Sequence, residues 1–177
     1  MSGPSDEELF ANWHEGDRQA GAALVERHFD AVERFFATKA NPQAAEDLVQ
    51  IAFARCIESA NRWRQSGTFR AYLFGIARNV LLEHIRGRVR DGRSDAELHE
   101  SAVVELVAGL STQLAARDER RHLVAALQRL PLDLQSLLEL HYWEDLSMDE
   151  LAATFGVPPG TIKSRLYRAR QLLRDTL

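Results

Sequence analysis

Lys163, Arg165, Arg168, Arg170 and Arg174 crowd into residues 160–174 with no acid among them, although the whole chain carries a formal net charge of −4. A second cationic run, residues 60–90, sets Arg62, Arg64, Arg70, Arg78, Arg86, Arg88 and Arg90 against a single acid, Glu83. Trp63, Phe69, Tyr72 and Phe74 are interleaved with those arginines. Guanidinium and ammonium groups hold phosphates, and Arg pairs bidentately with guanine. Aromatic faces stack on bases that have left a duplex. The acids gather elsewhere, in "SDEE", "AAEDL", "SDAELHE" and "HYWEDLSMDE". Basic patches on an acidic protein suit a polyanion touched at defined places. One such run by itself reads more readily as a solvated helix face; two runs, both on helical patterns, shift the balance toward the polyanion.

Bond chemistry finds little support. Histidines 14, 28, 84, 99, 122 and 141 are scattered, with no H-x-x-x-H or H-E-x-x-H pair to chelate a metal. Cys56 is the single cysteine, and neither it nor Ser111 has a neighbour that would activate a nucleophile. We therefore expect no enzyme, no metal and no cofactor. The composition, 45% hydrophobic and 27% charged, is that of a soluble globular protein. No apolar run reaches the roughly 18 residues of a membrane span, and the polar start "MSGPSDEELF" does not resemble a leader. A cytoplasmic protein without membrane insertion is expected.

The elements that must position these groups read as helices throughout. Residues 44–60 carry apolar side chains at 45, 48, 49, 52, 53, 56 and 60, the recurrence of one buried helix face. Residues 68–88 repeat this with Phe69, Leu73, Ile76, Ala77, Val80, Leu81 and Ile85, and residues 24–37 carry Leu24, Val32, Phe35 and Phe36. The fold expected is all-α: two small helical domains, residues 1–92 and 119–177, joined by a partly helical linker, residues 93–118. Residues 101–116 are more apolar than a solvated tether needs. They read as a short helix docked on one of the domains, with a surface held for a regulator as the alternative.

In the second domain Pro131 stops one helix, and Ser147 with Glu150 has capping-box spacing. Gly156 suits a helix C-terminus, and Pro158 and Pro159 suit the next first turn. This is a helix-turn-helix. At 100° per residue Ile162, Leu166, Ala169 and Leu173 fall within about 60° and form the buried stripe. Ser164, Tyr167, Arg168 and Gln171 face away from it. Thr161 and Arg165 flank one edge of the stripe, and Lys163, Arg170 and Arg174 the other.

"LSMDELAATFGVPPGTIKSRLYRARQLLR" resembles the C-terminal DNA-binding region of bacterial sigma factors of the extracytoplasmic-function group. "ALQRLPLDLQSLLELHYWEDLS" is similar to the segment that precedes it there. "AAEDLVQIAFARCIES" is similar to the family's polymerase-gripping helix, and "FRAYLFGIARNVLLEHIRGRVR" resembles its promoter-melting, −10-reading helix. The resemblance covers residues 9–92 and 119–175. It departs at the double proline of "GVPPG" and at the apolar linker.

The resemblance implies a dissociable subunit that binds core RNA polymerase, recognises −10 and −35 elements in promoter DNA, and promotes opening of the duplex. It leaves room for an anti-sigma factor as a further partner. Lys163, Ser164, Arg165, Tyr167 and Arg168, with Thr161, are the expected −35 contacts. Arg165 projects near the buried edge and is as well suited to a phosphate. The loop from Gln65 and Ser66 to Thr68 is implied to cradle a flipped −10 base, with Arg78 and Asn79 on the neighbouring helix; Trp63, Arg64 and Tyr72 read from the residues themselves as single-strand contacts. Arg86, Arg88 and Arg90 are then placed on backbone phosphates. Asn79 as a plain solvent-facing residue is an equal reading, and Phe69 and Phe74 read as core. Asp47, Gln50 and Phe53 are implied to meet the polymerase; Asp47 is equally a first-turn acid, and Phe53 equally a core residue. The rival within transcription is a stand-alone helix-turn-helix regulator. A linker that clamps both halves and hides the DNA faces is a further expectation for the free chain.

Overall fold

The computed structural model of the chain describes residues 3–60, 63, 67–90 and 114–177. Four helices build the N-terminal half, and each starts where a side chain satisfies the free backbone N–H groups. Helix α1 (Asp6–His14) begins with a capping box: Ser5 Oγ accepts from Glu8 N–H while the Glu8 carboxylate accepts from Ser5 N–H. Asp17 caps α2 (Arg18–Ala37), and Asn41 caps α3 (Pro42–Glu58) with Pro42 in its first turn. Helix α4 (Phe69–Arg90) follows Thr68, whose Oγ1 accepts from Ala71 N–H. The apolar faces close on one another around Phe10, Leu24, Phe36, Phe69, Leu73, Phe74 and Leu81, each at most 1% exposed. Burying one such side chain is worth about 1.5–3 kcal/mol, which offsets the ordering of these helices.

The C-terminal half comprises α5 (Leu114–Gln128), α6 (Leu132–Tyr142), α7 (Met148–Phe155) and α8 (Pro159–Thr176). Leu137, Leu140, Leu146, Leu151, Ile162 and Leu166 form its centre. Among the described residues there is no strand. The linker reading at 101–113 lies outside the described residues.

The two halves meet directly, with α7 laid along α4, and one apolar cluster runs through both. The seam is polar. Thr154 Oγ1 donates to Ala71 C=O at 3.2 Å, and Gln128 Nε2 donates to Thr38 C=O at 2.9 Å. The Lys39 ammonium, 1% exposed, pairs with the Glu139 carboxylate, 2% exposed. Thr38 Oγ1 and Gln135 Nε2 donate to the same carboxylate. Burial pulls the Lys39 pKa below its ordinary value against the opposing pull of Glu139. Nearer the edge, the Arg34 fork grips Glu144 at 2.9 and 3.1 Å, and Arg70 donates to the Glu144 backbone carbonyl.

Candidate nucleic-acid interface

Gly156 closes α7 in the left-handed region, φ 65°, which glycine reaches without a Cβ clash. Pro158 and Pro159 then set the dihedrals that start α8, and no side chain caps it. Ile162, Leu166 and Ala169 are buried beneath the helix, and Leu173 is half-buried. Lys163, Ser164, Tyr167 and Arg168 are exposed, Tyr167 at 65%. Thr161 and Arg165 lie half-buried at the edge, and the Thr161 carbonyl accepts from Ser164 Oγ at 2.9 Å. Arg170 reaches back over the Tyr142 ring, 5.8 Å from its centroid. One face of α8 thus offers a hydroxyl, a phenol and two cations to a groove wide enough for a helix.

Helix α4 and the residues just before it carry the second cationic face. Trp63 is half-buried and meets Phe10 edge-on, with ring centroids 5.1 Å apart. Tyr72 is half-buried; its hydroxyl donates to Cys56 C=O at 3.1 Å and lies 2.6 Å from Ser59 Oγ. Phe69 and Phe74 are fully buried. Arg64, Gln65 and Ser66 lie outside the described residues. Asn79, Arg86 and Arg90 are exposed, and Arg88 is half-buried with no partner for its Nε among the described residues. Arg78 is engaged: its Nη2 and Nε meet Asp133 Oδ1 at 2.7 and 3.2 Å, and its guanidinium lies 5.0 Å from the Phe155 ring centre.

Thr68 is also engaged by the other half, donating to Glu150 Oε1 at 2.7 Å. Partial burial works against the Glu150 charge. Hydrogen bonds from Thr68 and Ser147, with Arg70 nearby, outweigh it and hold the carboxyl below its ordinary pKa. Seen from the N-terminal half, carboxylates of Asp133, Glu144 and Glu150 occupy Arg78, Arg34 and Thr68. No local sequence signal could reveal these pairs, since Arg34 and Glu144 lie 110 positions apart.

On α3, Asp47 and Gln50 are exposed, and Ile51 beside them is 40% exposed. Phe53 is 7% exposed and packs in the core. Ile51 belongs to the same outward surface as Asp47 and Gln50; it falls outside the apolar stripe read from the sequence, which is the signal that could have found it. Burial pushes the Cys56 thiol up to about 12, so it stays protonated and unreactive. Among the described residues no group of His, Cys, Asp and Glu side chains could hold a metal ion. No helix among them is long and apolar enough to cross a membrane.

Residues 24–91 match the family description Sigma-70 region 2, and residues 120–173 match Sigma-70, region 4. The chain belongs to the sigma-70 family. This sigma factor is 37% identical over 157 residues to the ECF RNA polymerase sigma factor SigE of Mycolicibacterium smegmatis. The match covers 87% of the chain and 60% of that protein. With the RNA polymerase sigma-H factor of Pseudomonas aeruginosa it shares 29% identity across 97% of its own length and 93% of the relative's. Its fold matches CnrH, solved in complex with the cytosolic domain of CnrY, at a TM-score of 0.70. That match has 22% identity and covers 97% of this chain and 96% of the other. The sigma factor is thus of the extracytoplasmic-function type and acts in transcription initiation.

Proposed function

We propose that the α8 face reads the −35 element and the α4 face, with the loop before it, captures the −10 element, while the exposed side of α3 binds core RNA polymerase. The observation that carries this is the placement of two cationic faces on separate halves of one chain, in the order of the two matched sigma-70 regions. Ser164, Tyr167 and Arg168 are the base-edge candidates on α8, with Lys163, Arg165 and Thr161 holding phosphate or register. Trp63 and Tyr72 supply stacking surface, and Arg78, Asn79, Arg86 and Arg88, with Arg64, Gln65 and Ser66, line the single strand's path. On the polymerase side Asp47 and Gln50 are the contacts, joined by Ile51, while Phe53 supports them from the core. Residues 1–92 and 119–177 act as the two functional domains. Binding and strand separation account for the activity without bond chemistry, and the protein works in the cytoplasm.

The closed seam belongs to the free chain. Arg78 and Thr68 are held there by Asp133 and Glu150, so two groups of the −10 face are occupied, while Asn79 and Arg86, the α8 face and the Asp47–Gln50 surface stay open. Polymerase can then dock first, and the halves separate to span one promoter. Direct polar contact between the two halves holds this closed form. The fold's likeness to RpoE of Bartonella quintana, solved in complex with the anti-sigma factor NepR, supports an anti-sigma factor as a partner.

Reconstitution tests the assignment. The chain added to core polymerase is expected to start transcription from a matching promoter and to bind the same duplex weakly by itself. Tight sequence-specific binding without polymerase would instead favour a stand-alone regulator.

A further inference from the structure

Helix α1 lies ahead of the region 2 match, which begins at residue 24, yet two of its side chains, Glu7 and Phe10, reach the −10 face. Asp6 fastens it to α2: its carboxylate lies 2.7 Å from His28 Nε2 and pairs with Arg27. Glu7 Oε1 accepts from Phe69 N–H at 3.1 Å, satisfying a backbone donor in the first turn of α4. Phe10, 1% exposed, is the hub of an aromatic cluster. Its ring centre lies 5.0 Å from Phe69, 5.1 Å from Trp63 and 5.6 Å from Tyr72. Trp63 and Tyr72, themselves 6.0 Å apart, therefore share one support from below.

Trp63 precedes α4 and stands outside any helix, so no ladder of its own fixes its ring. A stacking surface that swings must be ordered when the base arrives, and that ordering subtracts from the stacking gain. We propose that Glu7 and Phe10 are positioning residues for capture of the extruded −10 base. They act through the first turn of α4 and the Trp63 ring, without touching DNA. The inference rests on the −10 reading given above.

The experiment uses holoenzyme and a promoter with 2-aminopurine in the −10 non-template strand, whose fluorescence reports opening. Phe10→Leu, which keeps the apolar filling but removes the ring, and Glu7→Ala are each expected to slow opening about five- to tenfold. Glu7→Gln, which keeps an acceptor for Phe69 N–H, is expected to open close to the wild-type rate. Affinity for core polymerase and for a duplex carrying only the −35 element should not change. Trp63→Ala is the reference. If it slows opening while the α1 variants do not, the positioning role is wrong and the −10 reading stands. Normal opening by Trp63→Ala would remove both. Equal losses in opening, core binding and −35 binding would reduce α1 to a purely structural element and overturn the proposal.

Discussion

Arg168 shows what a single outward side chain on α8 can contribute. It is exposed on the face opposite Ile162, Leu166 and Ala169, free to reach a base edge. A bidentate Arg–guanine contact is worth about 1–3 kcal/mol of discrimination, so Arg168→Ala should weaken −35 recognition about ten- to hundredfold. Transcription from promoters with intact and scrambled −35 elements measures this, and core binding should be unaffected. His28 makes a different residue-scale point. Burial lowers its pKa from 6.5, with Asp6 pulling the other way. The unfolded chain therefore takes up the proton first as pH falls. His28 favours the fold fully above pH 6.5, and that contribution is lost as pH drops from there toward the folded-state value. His84 is shifted the same way, by burial and by Arg88. Thermal melts across this range should show a shallower pH slope for His28→Gln; an unchanged slope would mean His28 contributes nothing to it.

At the scale of elements, the helix-turn-helix depends on its two ends of α7. Ser147 Oγ accepts from Glu150 N–H, and Gly156 takes the left-handed dihedrals that turn the chain toward α8. Ser147→Ala should cost about 1 kcal/mol, the usual value for a lost N-cap. Gly156→Ala should cost about 1–2 kcal/mol, because its Cβ meets the following carbonyl. Denaturant melts check both, and a neutral Gly156→Ala would mean that the turn relaxes. Much of this was legible before any coordinates, since a cap and its partner lie three residues apart. Helix α1 was less legible. Its nine residues give a short pattern, and the role of Phe10 depends on rings more than fifty positions away.

For the whole molecule, Lys39 and Glu139 are the deciding pair. Removing one partner leaves a buried charge uncompensated, at a cost of about 3–5 kcal/mol, whereas replacing both with apolar groups is often neutral. Glu139→Ala is therefore expected to loosen the seam, enlarge the free chain in small-angle scattering, and release Arg78 and Thr68 from their carboxylate partners. Its binding of a single-stranded −10 oligonucleotide should rise. Lys39→Met with Glu139→Leu should stay compact. If Glu139→Ala keeps the compact radius and gains no oligonucleotide binding, the seam does not mask the −10 face.

The amino-acid order alone determined the helical class, the capped turn between α7 and α8, and which side of α8 faces out. Those features rest on interactions within three or four residues and on the 3.6-residue period. Tertiary structure decided what the charged side chains do. The sequence sets Arg78 in a cationic run read toward the −10 element, but docking α4 beside α6 and α7 brings it Asp133, 55 positions away. It reads Phe53 as either core or polymerase contact, and the packing of α3 places it in the core. Lys39 meets Glu139 across 100 positions, a pairing that the angle between the two halves creates. Periodicity reports the face a residue occupies; what stands opposite that face depends on how the helices dock.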